Sequence, residues 1–458
     1  MTATHRPRRR LHAALTAALA LAFTACSGDK YPNTIFERHT EFNREVLSIF
    51  NSMFFWSALV FVLVEAALLW VLWRYRRREG APEPKHVHGH TTLEIVWTLI
   101  PAVVLIFIAV PTVRAIFRTQ AKAVPNALQV QVIGHQWWWE FRYPQYGVIT
   151  ANELYLPIGR TVNFELKTAD VIHSFWIPRL GGKRDLVSNH TNYLWFTPDS
   201  ADENAWNGSC NEYCGASHAN MRFRAFTVTP AQFDQWVAHQ KTPAAFGAVA
   251  PAAAAGATGV ATNAMTAAAV AGEQGKPNAT PGGPQLPPPA TAQTPAGANP
   301  GAATPSAANA NAPQPTVTAA SFTGWPADRL PAYTEPTKQI PAGLAFNAQP
   351  GDPARGQQIY SRSACIGCHT IAGNPMSMGQ IGPNLTHIGS RLTIGAGLYP
   401  NDDQHLALWI KNTRAMKPGS IMPTLGKGEY DPILATTVTS GLTDQEIADI
   451  VAYLRALK

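Results

Sequence analysis

Hydrophobic and polar positions follow different patterns along the 458 residues. Two uninterrupted apolar runs come first, at about 50–73 and 93–113, and each is long enough to cross a hydrocarbon core of about 30 Å as a helix. From about 126 to 229, apolar and polar residues alternate with a period of two, as in ALQVQV, TVNFEL and FRAFTV. This alternation predicts a small β-sandwich or barrel, which a short helix at PAQFDQWVAHQ would close.

A linker and a second globular domain are predicted in the C-terminal half. Residues 244 to about 320 are mostly Ala, Pro, Gly, Asn and Thr, so they cannot bury a core and predict a disordered segment. Helical periodicity returns after about 346, and TDQEIADIVAYLRAL carries an N-cap signal at Thr443 with Glu446 three residues later. The predicted organisation is a transmembrane hairpin (42–121), a β-domain (122–243), a linker (244–345) and an all-α domain (346–458).

The distribution of charge indicates a membrane topology and not an anionic partner. The formal net charge is +7, but eight arginines flank the apolar runs: Arg6, Arg8, Arg9, Arg10, Arg74, Arg76, Arg77 and Arg78. Subtracting these eight from +7 leaves −1, so a nucleic-acid partner has little support. Arginines after the first helix place the loop between the helices in the cytoplasm of a bacterium, so the later domains lie on the periplasmic side of its inner membrane.

The N-terminus has the form of a secretory signal. Basic residues in RPRRR precede the short apolar stretch LHAALTAALALAFTAC. The ending FTAC resembles a bacterial lipoprotein box, which predicts a signal peptide at 1–25 and lipid modification of Cys26. Cleavage nearby without lipid, or an uncleaved anchor, are the alternatives.

Cys365, Cys368 and His369 form the sequence C-x-x-C-H in the C-terminal domain. In an exported protein this spacing is typical of covalent haem c, in which two thiols add to the haem vinyl groups and the histidine binds iron. A redox dithiol would need a βαβ context, and a zinc site would need two more ligands. We therefore predict one covalent haem with His369 as an axial ligand.

The opposite axial ligand is not decided by spacing. The candidates are His387, Met376, Met378, Met416 and Met422. The domain resembles class I cytochrome c, because a helix precedes CIGCH, IGPNL follows it, and KPGSIMP precedes the last helix. In that family the methionine after the P-G turn is the ligand, which implies Met422 and leaves Met416 as a packing residue. A thioether opposite histidine raises the haem potential and favours an electron carrier over an oxygen binder.

The segment CNEYCGASHANM, residues 210–221, combines thiol, imidazole and thioether groups at ligand spacing. Zinc would accept two cysteines and a histidine but needs a fourth ligand. A disulfide between Cys210 and Cys214 would leave the histidines and Met221 unexplained. The upstream segment VIHSFWIP supplies His173, and this combined set suits a soft, redox-active metal such as copper.

Residues from about 42 to 240 resemble subunit II of haem–copper cytochrome c oxidase. The resemblance rests on LEIVWTLIP, GHQWWWEF, VIHSFWIP and C-x-E-x-C-x-x-x-H-x-x-M. It implies a cupredoxin-like β-sandwich or barrel that holds the dinuclear copper centre CuA. Carried over by position, the ligands are bridging Cys210 and Cys214, one histidine per copper (His173 and His218), Met221 and the backbone carbonyl of Glu212.

The same resemblance implies three further roles. The Glu212 carboxylate would help to bind magnesium at the boundary with subunit I, Trp137 would accept electrons, and Glu94 would lie at the mouth of a proton uptake channel. From the residues alone, these could equally be a solvated loop acid, a core aromatic and an interfacial acid. Glu65 lies within the first apolar run, where an acid is costly, and we expect it to face subunit I.

Together the resemblances imply subunit II of a caa3-type oxidase with a fused cytochrome c domain. Electrons would pass from cytochrome c or a quinol–cytochrome c reductase through haem c and CuA to subunit I, which reduces oxygen and pumps protons; subunit III is a further expected partner. Two other classes are a copper storage or delivery lipoprotein with an accessory haem, and an electron shuttle for a nitric or nitrous oxide enzyme. A quinol oxidase subunit is disfavoured, because those subunits lack the copper ligands.

Overall fold

The computed structural model describes residues 31, 33–77, 79–80, 88–120, 124–199, 204–244, 322 and 324–458. The predicted signal peptide, Cys26 and residues 245–321 of the predicted linker lie outside these ranges. The described parts of 1–249 and 319–458 form one compact unit.

Two long apolar helices form the N-terminal hairpin. Helix α1 spans Glu41–Arg74 and helix α2 spans Thr91–Gln120, and both are long and apolar enough to cross a membrane. They contact each other through Trp56 and Phe107, whose rings stack at 5.7 Å. Both helices extend beyond the predicted apolar runs, because their polar ends continue into contacts with the following domain.

The first turns of α1 are part of the β-domain packing. Thr40 caps the helix by accepting from the Asn43 backbone N–H, and the Asn43 side chain donates to the Pro178 carbonyl at 3.0 Å. The Glu41 carboxylate accepts from the backbone N–H and the hydroxyl of Thr197 at 3.0 and 2.8 Å. The N-terminal end of α1 therefore attaches the membrane hairpin directly to the β-domain.

The β-domain is a sandwich of two five-stranded sheets. Its strands are β1 (Leu128–His135), β2 (Trp138–Tyr143), β3 (Val148–Ala151), β4 (Glu153–Pro157), β5 (Val162–Thr168), β6 (His173–Trp176), β7 (Arg184–Leu186), β8 (Asn192–Phe196), β9 (Asn204–Cys210) and β10 (Arg222–Val228). The sheet orders are β3-β2-β1-β5-β8 and β4-β10-β9-β6-β7. Alternate residues of β1 are buried, as the period-two pattern predicts.

Aromatic side chains fill the space between the two sheets. Trp139, Phe141, Phe175 and Phe223 are completely buried, and the Phe175 and Phe223 rings stack at 5.0 Å. Helix α3, Pro230–Gln240, covers one end of the sandwich and begins with a capping box at Thr229. The predicted cupredoxin-like sandwich and closing helix are confirmed.

The C-terminal domain is helical, as predicted. Its helices are α4 (Pro353–Arg362), α5 (Cys365–Cys368), α6 (Asp403–Lys411), α7 (Thr413–Met416) and α8 (Asp444–Ala456), with short strand pairs β11/β12 (Thr393–Ile394, Tyr399–Pro400) and β13/β14 (Tyr430–Asp431, Thr436–Thr437). Helices α4 and α8 cross closely, because Gly356 leaves room for the backbone carbonyl of Asp449. Thr443 and Glu446 form the predicted capping box of α8.

The packed part of the chain begins before residue 345, the predicted C-terminal end of the linker. Residues 324–338 lie against the β-domain, and residues 340–346 lie against the helical domain. The physical reason is aromatic and aliphatic content: Trp325 and Tyr333 pack against the sandwich, and Ile340 and Leu344 pack against the helical core. The Ala/Pro-rich composition that predicts disorder does not extend to these residues.

Candidate metal and haem sites

The sulfur-rich loop connects β9 and β10 at one end of the sandwich. Cys210 is the last residue of β9, and its backbone N–H donates to the Met221 carbonyl at 3.0 Å, which closes the loop. His173 begins the adjacent strand β6, whose Phe175 pairs with Cys210. Two neighbouring strands therefore bring the upstream histidine to the loop.

All six predicted copper-binding groups come together at this point. The Cys210 and Cys214 sulfurs are 3.8 Å apart, and the carbonyl of Glu212 lies 3.3 Å from the Cys210 sulfur. Three further groups complete the cluster. His173 Nδ1 lies 3.8 Å from the Cys210 sulfur. His218 Nδ1 and Met221 Sδ lie 3.5 and 3.8 Å from the Cys214 sulfur. Donor atoms that share a metal at about 2.0–2.3 Å lie within about 4.6 Å of each other, so the set fits metal binding.

The two cysteines are free thiols and are electrostatically different. Their sulfur separation is far above the 2.05 Å or so of a disulfide bond. The hydrogen bond between the two thiols lowers the pKa of Cys210 to about 3. The same bond raises the pKa of Cys214, and burial adds to the effect. A bound cation would favour ionisation of both thiols.

The cluster is buried on the side of the sandwich and half-exposed at His218, and its first histidine is held in place. The side chains of His173 and Met221 are completely buried. His173 Nε2 lies 2.8 Å from Asp170 Oδ1, which leaves Nδ1 directed at the cluster. Burial is the largest single influence on the pKa of His173 and lowers it, but the interactions with Asp170 and Cys210 together outweigh burial, so the pKa is raised. Asp170 was not among the residues predicted from the sequence, although an acid three residues before a predicted ligand histidine is a usable signal.

The tryptophans after GHQ have three different surroundings. Trp139 is completely buried in the core, and Trp138 stacks on His135 at 4.1 Å. The Trp137 indole N–H donates to the backbone carbonyl of Cys214 at 2.9 Å. Trp137 is therefore the tryptophan of this group that contacts the sulfur-rich loop.

The C-x-x-C-H motif lies on a single helical turn. Cys365 and Cys368 form α5, and His369 follows with its Nδ1 at 2.8 Å from the Pro383 carbonyl, so Nε2 is the nitrogen left for a metal. Burial raises the pKa of Cys365 to about 12 and also raises that of Cys368. Raised thiol pKa values disfavour a reactive dithiol.

The candidates for the opposite iron ligand lie in different environments. Met416 is completely buried in the helical core, in agreement with its packing interpretation. His387 is turned toward the β-domain, where its ring lies 4.5 Å from that of His239. Met376 and Met378 are exposed, whereas Met422 is half-buried just after the turn at Gly419.

The two membrane acids lie where the apolar pattern predicts. Glu94 is in the first turn of α2, and its carboxylate accepts from the His90 backbone N–H at 3.3 Å. Glu65 lies in the middle of α1. Glu212 is an exposed residue of the loop.

Comparison with known proteins places three segments in families. Residues 39–115 match "Cytochrome C oxidase subunit II, transmembrane domain", 148–228 match "Cytochrome C oxidase subunit II, periplasmic domain", and 353–458 match "Cytochrome c". Probable cytochrome c oxidase subunit 2 of Rickettsia bellii is 32% identical over 213 residues, which are 42% of this chain and 77% of that protein. The chain belongs to the cytochrome c oxidase subunit II family.

Other relatives match over more or less of the chain. Cytochrome c oxidase subunit 2 of Alkalihalophilus pseudofirmus is 27% identical over 450 residues, 96% of this chain and 95% of that protein. The crystal structure of the periplasmic domain of cytochrome oxidase subunit II of Bradyrhizobium japonicum covers 26% of this chain and 97% of that domain, at 29% identity and a TM-score of 0.25. Subunit II membership implies a copper-binding β-domain on the outer side of a membrane, a haem-binding C-terminal domain and a place in an oxidase complex.

Proposed function

We propose that this chain is subunit II of a caa3-type respiratory oxidase in a bacterial inner membrane. When bound, a covalent haem c and a dinuclear CuA centre would carry electrons from cytochrome c or a quinol–cytochrome c reductase to subunit I, where oxygen is reduced and protons are pumped. Subunit III is a further proposed partner. The observation that carries the proposal is the convergence of six sulfur, nitrogen and oxygen donor groups, five from one loop and His173 from strand β6, in a chain that also has C-x-x-C-H.

The loop residues would hold the two coppers with little room for movement. Cys210, Cys214, His173, His218, Met221 and the Glu212 carbonyl would hold the two coppers. Backbone pairing between β9 and β10 fixes both ends of the loop, and Cys210, Cys214, His173 and Met221 are buried. A rigid ligand set suits electron transfer, because little geometry has to change when the charge changes.

The helical domain would hold a covalent haem through Cys365 and Cys368, with His369 and Met422 as the residues that would bind its iron. The Pro383 carbonyl orients His369, and the half-buried Met422 follows the Gly419 turn. A thioether ligand would raise the haem potential.

Four further roles belong to this proposal. Trp137 would accept electrons, since its indole is hydrogen-bonded to a copper ligand's carbonyl. Glu94 would stand at the proton uptake side of α2, and the Glu212 carboxylate would bind magnesium against subunit I. Cys26 would carry lipid after removal of residues 1–25.

Electron paramagnetic resonance of the full-length chain, matured with copper and haem without subunit I, tests the metal assignment. The expected signal is one unpaired electron shared equally by two coppers. Cys214→Ser should abolish that sharing, whereas Cys368→Ser should alter haem attachment and leave the copper signal unchanged. A single-copper signal from folded, copper-loaded protein would reject the dinuclear centre and favour the copper storage or delivery class.

A further inference from the structure

Residues 324–346 contact both globular domains, and we call this segment the clasp. Its first half is anchored on the β-domain by Trp325, which is only 5% exposed and packs 5.2 Å from the Phe226 ring. The Arg329 guanidinium lies 5.4 Å from the centre of the Trp325 ring and covers its outer side. A buried tryptophan is among the strongest apolar anchors that a short segment can supply.

A second anchor follows eight residues later. The Tyr333 hydroxyl donates to the Ala205 carbonyl at 3.1 Å, and the Asn207 side chain donates to the Tyr333 carbonyl at 2.9 Å. The Arg179 guanidinium stacks 4.5 Å over the same ring, and Thr334 is buried beside it. These contacts attach the clasp to strand β9, the strand that ends in Cys210.

The second half of the clasp belongs to the helical domain. Ile340, Leu344 and Phe346 pack against that domain's core. The Lys411 ammonium group, from α6, donates to the Ala345 carbonyl at 2.7 Å. Residues 335–339 therefore lie between the Thr334 anchor on the β-domain and the Ile340 contact with the helical domain, and the Lys338 ammonium group among them donates to the Asn220 side chain of the β-domain at 3.2 Å.

This spacing changes the length of the tether that joins the two domains. The stretch from Thr334 to Ile340 can reach at most about 20 Å when fully extended. A flexible linker of about 75 residues would instead average about 45–50 Å between its ends. Effective concentration falls at least as steeply as the −3/2 power of linker length, so the clasp would raise it by more than about tenfold.

The helical domain lies with one particular face against the β-domain. The Lys417 ammonium group donates to the Trp137 carbonyl at 2.5 Å, and the Ser217 hydroxyl donates to the Pro418 carbonyl at 2.5 Å. Gly419 lies so close to the Trp137 ring that an added Cβ would be 3.1 Å from it. The turn that precedes Met422 thus touches the residue that is bonded to the sulfur-rich loop.

We propose that the clasp, and not the Ala/Pro-rich stretch before it, keeps the helical domain on the β-domain. The Ala/Pro-rich stretch then makes the covalent connection, while residues 324–346 set the distance between the domains. The proposal concerns how the domains are held and does not depend on the metal assignments.

Two matched cleavage variants of the full-length chain in membranes test this proposal. One carries a protease recognition sequence after residue 285, and the other carries it between Pro336 and Thr337. After complete cleavage and washing, a C-terminal epitope tag and the haem absorbance report how fast the C-terminal fragment leaves. We expect release after the cut at 336 to be at least tenfold faster than after the cut at 285.

Equal release rates after the two cuts would overturn the proposal. Fast release in both would show that the clasp does not hold the domain, and slow release in both would show that the direct contacts suffice. Uncut insertion variants check that the insertions are tolerated, and the tag follows the fragment even if haem is not attached.

A second comparison avoids any insertion in the clasp. In the chain cleaved after residue 285, Trp325→Ala together with Tyr333→Ala should also speed release at least tenfold. Asp328→Ala removes an exposed clasp side chain and should leave the rate at the wild-type value. A double variant that is released as slowly as Asp328→Ala would contradict anchoring by Trp325 and Tyr333.

Discussion

At the scale of single residues, Asp170 positions His173, one of the proposed copper ligands. Its Oδ1 is bonded to His173 Nε2, and its Oδ2 accepts from the Gln136 backbone N–H at 2.7 Å. The Gln136 backbone thus holds the carboxylate in place, and the carboxylate in turn orients the His173 imidazole. Partners of this kind set the tautomer and orientation of a ligand histidine.

We expect Asp170→Asn to lower copper affinity by about 10- to 100-fold, because the imidazole loses its negatively charged partner. Competition with a copper chelator measures the change. Asp185→Asn, on the neighbouring strand β7, is the matched control and should bind copper as the wild type does. Equal affinities for the two variants would show that Asp170 does not position His173.

Met422→Leu tests the proposed iron ligand with little change in side-chain volume. Exchange of Met and Leu in a packed site usually costs less than about 1.5 kcal/mol, so the domain should remain folded. The variant should lose the iron–sulfur absorption band and show a lower haem potential. Met416→Leu, in the fully buried core, should keep both. A band that survives in Met422→Leu would assign the ligand elsewhere.

At the scale of elements, the close crossing of α4 and α8 depends on one glycine of α4, Gly356, which has no side chain. A Cβ on Gly356 would lie 1.9 Å from the Asp449 carbonyl oxygen. That atom is backbone, so the contact cannot be relieved by rotation of a side chain. Gly351 faces the Ala448 carbonyl in the same way.

Gly356→Ala should therefore destabilise the helical domain by about 3 kcal/mol or more. A loss of that size lowers the melting temperature of a domain of this length by more than about 10 °C. Thermal unfolding followed by haem absorbance measures the shift. Gln358→Ala, on the exposed side of α4, should melt within a few degrees of the wild type. Similar melting of the two variants would refute the close crossing.

An element can be predicted from the sequence when its apolar residues recur with a fixed period. Alternation along β1 and helical spacing along α8 are visible in the sequence because one face of each is buried. The clasp has no such period: its 3₁₀ turns at Ala327–Arg329 and Ala332–Thr334 are short, and its anchors are single aromatic residues among prolines. Residues 340–346 likewise contribute single apolar contacts without a period. The packing of the clasp could therefore be recognised only from the folded structure.

The ligands of the candidate metal site divide in the same way. Cys210, Cys214, His218 and Met221 are close in sequence, and their spacing alone indicates a site. His173 is 37 residues upstream, and its place beside Cys210 follows from the pairing of β6 with β9, which spacing does not show. The segment VIHSFWIP made His173 a candidate and the resemblance implied its role at the copper centre, whereas Asp170 was recognised only from the folded geometry.

At the scale of the whole molecule, the proposed role in proton uptake concerns the end of α2 remote from the β-domain. Glu94→Gln should slow turnover of the assembled oxidase several-fold, because an amide cannot release a proton. Reduction of the copper centre should be unchanged, as it takes place in another domain. Oxygen consumption and the copper absorbance measure the two rates.

Glu65→Gln is the matched control, since it also removes a carboxylate from a membrane helix. We expect its turnover to equal that of the wild type. Normal turnover of Glu94→Gln with wild-type partner subunits would exclude the proton-uptake role.

The continuous helix α1 has a mechanical consequence. Its 34 residues are about 51 Å long, and about 30 Å of that length suffices for the hydrocarbon core. The remaining length is a rigid stalk whose tip is clamped in the sandwich through Phe42 and Asn43. When the helix tilts in the bilayer, the sandwich would therefore tilt with it. Because bilayer thickness influences the tilt, it would also set the height and inclination of the two globular domains above the lipid surface.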